Sequence, residues 1–278
     1  MRAQRGFLVY DSVRDRYEID YRQTMSILVN ELLLELLLET RGYLKGRLLD
    51  VGCGKRPYAL IYDRCVDTSV GTEVVFSPHG TSAADLICFA EDLPFPDQQF
   101  DTILCTEVLE HTRQPVQVMH EVARLLKPGG HLILSVPFIY PIHEAPHDYW
   151  RFTAHGLAAL CRDAGLELLY VATKGGVVVT MLVLAHNIAV RAMNVASKLL
   201  RLDPPLYHRP SVRWLLCQPQ WWYLKLSRRL RALFSRLDPQ QGITKRLSRL
   251  LYRNNALDEV NQWLACGYLM VARKPATG

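Results

Sequence analysis

The 278 residues predict an α/β fold built on a parallel sheet, and two observations carry that prediction. Short apolar runs alternate with longer amphipathic stretches over residues 48–171, as a chain reads when successive strands are joined by crossover helices. The first apolar run, Arg47-Leu48-Leu49-Asp50-Val51, ends in an acid and passes at once into Gly52-Cys53-Gly54, a strand-to-loop turn whose backbone can approach a ligand closely. With 49% apolar residues the chain can fill a real core, and its length suits one large domain or two small ones.

Residues 17–44 are expected to be mostly helical, with Ile27, Leu28 and the following leucines on one broad face and Gly42 as a stop. Strands are expected over 48–51, 69–75, 102–105 and 131–136. Between the last two, Val116, Met119, Val122, Ala123 and Leu126 fall at helical spacing, and Pro128-Gly129-Gly130 ends that helix. Thr153 suits the N-cap of a helix over 154–164 that stops at Gly165; runs at 166–171 and 267–272 supply further strands. This divides the chain into a helical lead-in (1–46), a core (47–173), a helical basic insertion (174–261) and a last strand with its tail (262–278).

Seven cysteines, an odd number without a Cys-x-x-Cys pair, offer neither a disulfide framework nor a zinc ribbon, so buried reduced thiols and no metal site are expected. Residues 1–6 carry no apolar signal-peptide core, and Glu35 interrupts the leucine run at 32–38. A cytoplasmic protein is expected, with a possible peripheral seat on the inner face of the membrane.

Glu73 ends or nearly ends the second strand, about twenty residues after the glycines, where an acid can accept hydrogen bonds from both hydroxyls of a ribose. The pieces that follow keep a definite order. Ala90-Glu91-Asp92-Leu93-Pro94-Phe95 precedes 100–111, which ends Val108-Leu109-Glu110-His111, and then comes Leu126-Lys127-Pro128-Gly129-Gly130.

In these motifs the chain resembles the class I S-adenosylmethionine-dependent methyltransferases, in particular the type 11 group, over residues 48–171 and again at the final strand. The resemblance implies a doubly wound, mostly parallel, seven-stranded Rossmann-like sheet with the helical insertion before its last strand, and S-adenosylmethionine as cofactor. It implies that Asp50, Gly52, Cys53 and Gly54 form the turn at the methionine end, that Glu73 is the ribose acid, that Ala90 and Glu91 lie beside the adenine, and that Cys105 ends the strand whose backbone lines the cofactor. Lys55 stands where a third glycine is common, and Phe89 where an aspartate often meets the adenine amino group. The competing classes are a nicotinamide-dependent oxidoreductase, whose turn and ribose acid have a similar layout, and a nonenzymatic binding module that keeps the fold.

Residues 141–153 are loaded with chemistry and include a formal His-Glu-x-x-His match at 143–147. A zinc site of that kind needs both histidines one helical turn apart, and Pro146 turns Ala145 away from helix, so the metalloprotease reading is rejected. Similar methyltransferases carry such a loop over the acceptor side of the cofactor. On that resemblance His143 or His147 is the general base; Glu144, Asp148 and Tyr149 contact the acceptor; and Arg151 pairs with an anionic acceptor group. At least one of Tyr149, Trp150 and Phe152 is expected to anchor the loop. His111 and Glu110, at the carboxyl edge of the sheet, are second candidates; no partner is legible for His79, His120, His131, His155, His186 or His208.

From Arg201 to Ala256 there are 12 Lys and Arg against two acids, so this segment carries +10 in a chain of net +6. Before it, Asn187, Arg191, Asn194, Lys198 and Arg201 form a narrow polar stripe on an apolar helix, whose most apolar part, 177–185, falls far short of a bilayer span. Farther on, Leu226, Leu230, Leu233 and Leu237 make an apolar face among Lys225, Arg228, Arg229, Arg231 and Arg236, close to Trp221, Trp222 and Tyr223. A second helix repeats the design with Ile243, Leu247, Leu250 and Leu251. This pattern fits an anionic membrane surface and a small-molecule or lipid-linked acceptor, or else a hairpin packed on the domain with a solvated basic face; no nucleic-acid motif accompanies the charge.

Overall fold

The computed structural model describes residues 2–20, 22–24, 26–237 and 265–276, apart from the side chains of 231–237. Ahead of the first helix lies a small antiparallel sheet of β1 (Arg2–Arg5), β2 (Leu8–Asp11) and β3 (Arg16–Ile19), in place of the expected helical lead-in. Local turn chemistry decides this. Gly6 reverses the chain at φ +53, and Asp11 accepts the backbone N–H groups of Val13 and Arg14 at 3.0 and 3.3 Å, an Asx turn that sends β2 back into β3. The helix expected from residue 17 begins ten residues later, as α1 (Ile27–Thr40).

The central sheet then forms from β4 (Arg47–Val51), β5 (Thr68–Glu73), β6 (Leu86–Ile87), β7 (Phe100–Thr106), β8 (Leu126–Pro137), β9 (Glu167–Thr173) and β10 (Gly267–Arg273). Their order is β6-β5-β4-β7-β8-β10-β9, with β10 antiparallel to both neighbours and the other pairs parallel. This is the expected doubly wound, mostly parallel, seven-stranded sheet. Helices α2 (Ala59–Tyr62), α3 (Pro115–Leu125) and α4 (Ala154–Asp163) connect the strands. Thr153 caps α4, its Oγ1 accepting the N–H of Gly156 at 3.0 Å.

Neighbouring strand residues enter different cores, because successive side chains of a strand point to opposite faces. Leu49, Ile103, Leu132 and Met270 join α3 and α4 on one face, through Val118, Val122, Leu157 and Cys161. Leu48, Leu104, Ile133 and Leu269 join α1 on the other, through Leu33, Leu36 and Leu37. Continuous apolar runs in the sequence are therefore strands buried on both sides.

The insertion is helical where it is described, as α5 (Val177–Leu199) and α6 (Pro210–Leu237). Both pack on the start of α1 through Ile27, Leu28, Val179, Val183, Cys217 and Leu224, and Gln220 Oε1 accepts the N–H of Leu28 at 3.0 Å. Two expectations change. Helix α5 runs past residue 185 as expected, but taken as a whole it is long and apolar enough to cross a membrane by length and composition, while little of it is covered by protein. On α6 the packed face is that of Cys217, Gln220, Leu224 and Ser227; Leu226, expected on an apolar face, is exposed beside Trp222. The second basic helix, with Ile243, Leu247, Leu250 and Leu251, lies outside the described residues.

Candidate active site

A cavity of about 560 Å³ opens at the carboxyl ends of β4, β5 and β7, a volume in the range of small-molecule sites. Val51 and Gly52, at the start of the glycine turn, line it. Gly52 stands at φ +64, and a Cβ there would lie 2.3 Å from Val108, so both backbone conformation and space require glycine. Gly54 follows at φ +53. Glu73, at the end of β5, closes the turn: its Oε2 accepts the Gly54 N–H at 2.7 Å and its Oε1 the Val74 N–H at 2.9 Å, while the residue also lines the cavity.

The remaining cofactor-side residues separate into two groups. Ala90 and Glu91 line the cavity, with Glu91 Oε1 accepting the N–H groups of Arg113 and Gln114 at the start of α3, at 3.0 and 3.5 Å. Phe89, at the position where an aspartate was missed, is exposed on the cavity wall facing Phe76, with ring centroids 6.1 Å apart. Asp50, Cys53, Gly54 and Cys105 do not line the cavity among the described residues. Burial pushes Asp50 up to about 7, and its Oδ2 accepts the hydroxyl of Tyr62 at 2.9 Å. Burial likewise pushes the Cys53 thiol up to about 12, and the Cys105 thiol is raised by the same cause, so neither is a nucleophile.

The loop between β8 and α4 forms the opposite wall without any helix, so the two histidines of the His-Glu-x-x-His match take different surroundings. His147 stacks on Phe76 at 4.3 Å, with its Nδ1 3.1 Å from the hydroxyl of Tyr149. His143 instead meets His111, with ring centroids 4.8 Å apart. Phe152 is the buried anchor, while Trp150 stays partly exposed and donates its indole N–H to Thr112.

Arg151 does not have the role expected of it. A guanidinium has five N–H donors, and here they meet Tyr140 O, Pro141 O, Trp150 O and both carboxylate oxygens of Asp148, the last at 2.6 and 2.7 Å. No donor is left for an acceptor. Asp148 is equally engaged: it also accepts the His143 N–H at 2.9 Å, and these partners outweigh burial to hold its carboxyl at about 2. Both residues are braces of the loop.

Behind the wall lies a cluster only partly foreseen. Glu110 is fully buried, and among the described residues neither of its carboxylate oxygens has a hydrogen-bond partner. Burial, reinforced by the nearby charge of Glu107, raises its pKa well above the usual range. His111 Nε2 lies 3.7 Å from Glu110 Oε1 and 3.8 Å from Glu144 Oε2, and His143 Nε2 lies 4.0 Å from Glu110 Oε1. Burial lowers the pKa of His143 and so favours its neutral form. His79, for which no partner was legible, is 3.0 Å from Glu144 Oε1, and that hydrogen bond raises its pKa.

Glu107 was missed altogether. It lines the cavity and holds the fully buried Lys174 at 2.5 and 2.6 Å, with the Ser135 hydroxyl at 2.7 Å. Its place two residues beyond Cys105, at the carboxyl edge of the sheet, is the signal that could have found it. Glu107 and Glu144 both stand at positive φ, and such strain gathers where function overrides local preference.

Residues 20–171, just over half of the chain, match the methyltransferase-domain family. A ubiquinone biosynthesis O-methyltransferase of Alkalilimnicola ehrlichii is 34% identical over 119 residues, covering 38% of this chain and 48% of that protein. An uncharacterised protein of Methanocaldococcus jannaschii is 29% identical over 127 residues, covering 45% and 61%. The chain thus spans about half to three-fifths of the length of these relatives. Among solved structures, the (4+2)-cyclase SpnF shares the fold, with a TM-score of 0.51 at 21% identity over 88% of this chain and 81% of that one. The family match agrees with the glycine turn and excludes the nicotinamide-dependent alternative: the chain belongs to the methyltransferase-domain family, the class I enzymes whose cofactor is S-adenosylmethionine.

Proposed function

We propose that the protein transfers the methyl group of S-adenosylmethionine to a hydroxyl oxygen of a small-molecule acceptor. The observation that carries this reading is one cavity bounded by Gly52 and Glu73 on one side and by His111, Glu144, His147 and Tyr149 on the other. In this reading Gly52 and Gly54 admit the methionine end, Glu73 accepts the ribose hydroxyls, and Ala90, Glu91 and Phe89 flank the adenine. His147 is the general base, because it lines the cavity while His143 is turned toward Glu110. The acceptor's O–H bond breaks with the proton passing to the imidazole; an O–CH₃ bond forms as the S–CH₃ bond breaks, and its electron pair stays on sulfur. The relatives named as ubiquinone biosynthesis O-methyltransferases support an oxygen acceptor.

The exposed apolar flanks of α5 and α6 extend the reading to a lipid-linked acceptor met at an anionic membrane surface. Trp214, Leu215, Trp222 and Leu226 are exposed on α6, and Lys225 lies 5.3 Å from the centre of the Trp221 ring. Aromatic, apolar and basic groups together are what an interfacial helix presents.

Calorimetry with S-adenosylhomocysteine, followed by mass spectrometry of phenolic and lipid-linked acceptors incubated with S-adenosylmethionine, tests the proposal. His147→Ala is expected to keep cofactor affinity and lose turnover by about 10²–10⁴-fold. Absence of S-adenosylhomocysteine binding by the folded protein overturns it.

A further inference from the structure

We propose that Glu110, His111 and His143 bind a divalent transition-metal cation beside the acceptor pocket. The proposal rests on the methyl-transfer reading only for what the cation does there. One ligand atom from each residue falls within 4.8 Å of the others. Donor atoms at about 2.1 Å from a common ion stand roughly 3.4 Å apart in a tetrahedral site, so the 3.7 and 4.0 Å separations from Glu110 Oε1 to His111 Nε2 and His143 Nε2 need to close by well under 1 Å, and the widest separation in the group, up to 4.8 Å, by about 1.4 Å.

Both imidazoles are oriented for this. His111 Nδ1 is 2.8 Å from the carbonyl oxygen of His147, so it carries the proton and leaves the Nε2 lone pair facing Glu110. His143 Nδ1 lies 3.2 Å from Asp148 Oδ2 and 3.3 Å from Pro141 O, which fixes the same tautomer. Metal-binding histidines are held in this manner, with the second nitrogen donating to a carbonyl or carboxylate. Arg151, with every donor engaged, keeps Asp148 in place behind His143. The independent observation is Glu110 itself, a wholly buried carboxylate aimed at the two Nε2 atoms with no hydrogen-bond partner on either oxygen among the described residues.

Two imidazoles and one carboxylate suit Zn²⁺, Co²⁺, Mn²⁺ or Fe²⁺ better than Mg²⁺ or Ca²⁺, which prefer oxygen donors throughout. Glu144 Oε2, 3.8 Å from His111 Nε2 and on the cavity wall, is placed to supply a further ligand. An ion here would leave a coordination position toward the cavity for the acceptor hydroxyl, lowering the cost of its deprotonation by His147.

The full-length protein, stripped with a chelator and desalted, is titrated with Co²⁺ and followed by its visible d–d absorption, with S-adenosylhomocysteine affinity measured on the same preparation. One Co²⁺ per chain is expected. His111→Ala, His143→Ala and the isosteric Glu110→Gln should each weaken it by at least the 10–100-fold that loss of even an outer support costs, with circular dichroism confirming the fold. His120→Ala, an exposed histidine on α3, should leave the spectrum unchanged. No saturable Co²⁺ spectrum, or one indifferent to the three variants, overturns the site. Intact S-adenosylhomocysteine binding without Co²⁺ removes only this inference; Co²⁺ binding without S-adenosylhomocysteine leaves the cation site and removes the methyl-transfer reading.

Discussion

The Glu73 carboxylate receives the backbone N–H of Gly54 at 2.7 Å, tying the end of the second sheet strand to the turn that follows the first. The acid proposed to hold the ribose therefore also shapes the loop proposed to hold the methionine end. Glu73→Ala should cost cofactor binding about 1.5–3 kcal/mol for the lost charged hydrogen bonds, with further loss from a loosened turn. Glu73→Gln, which keeps an acceptor for Gly54, should fall between that variant and the parent. Calorimetric S-adenosylhomocysteine affinities equal for all three proteins would rule out the ribose role.

Gly52 and Gly54 share a left-handed backbone but differ in the room around them. A methyl group on Gly52 would meet Val108 Cγ2 at 2.3 Å, whereas on Gly54 its nearest neighbour is His79 Cβ at 3.5 Å. Gly54→Ala should cost roughly 1–2 kcal/mol of stability from backbone strain alone. Gly52→Ala adds the clash and should lower Tm more and abolish cofactor binding; equal melting curves for the two variants would contradict this account.

Asp50 carries a folded pKa of about 7 against a reference of 3.8, chiefly because it is buried. Between those values the native protein holds a proton that the unfolded chain has released, so the stability present below pH 4 falls as pH rises through 7. The size of this contribution is on the order of 4 kcal/mol. Asp50→Asn can still accept the Tyr62 hydroxyl, and it should flatten that part of the pH–stability curve measured by denaturant unfolding. An unchanged slope would show that Asp50 is ionised in the native protein.

Lys174, fully buried, is held by Glu107 at 2.5 and 2.6 Å, and a side chain on Gly267 would strike it. Breaking one half of such a pair leaves a charge without its partner. Lys174→Met is expected to cost about 3–5 kcal/mol in urea unfolding, while adding Glu107→Gln recovers much of the loss. No recovery in the double variant would locate the effect in packing.

The α5–α6 flank should bring the protein onto anionic vesicles. Co-sedimentation with phosphatidylserine liposomes is expected at low salt, decreasing as salt screens the basic residues. Trp222→Ser with Leu226→Ser should reduce it, since both side chains are more than half exposed on the helix. Complete recovery in the supernatant at low salt would make the flank a solvated face.

The sheet was legible in the sequence because its signals are local. Leu48 and Leu49 enter opposite cores through the two-residue period of a strand, and Gly52 is required by the φ of its own backbone together with one neighbouring side chain. Thr153 caps the helix that starts at the next residue, and the spacing from Gly54 to Glu73 needed only one crossover to become a contact. The first three strands were missed because an Asx turn at Asp11 and a glycine at position 6 outweigh a composition that reads as helix or nothing at all.

What the sequence could not decide was which charged groups meet. Arg151 reads as a free cation until its five donors are traced to carbonyls and a carboxylate brought together by the fold of one loop. His79 finds Glu144 from 65 residues away, and His143 finds Glu110 across 33. Periodicity and turn geometry act over a few residues and so are written in sequence order. Partners across loops are selected by how strands and loops pack, and only tertiary structure fixes that.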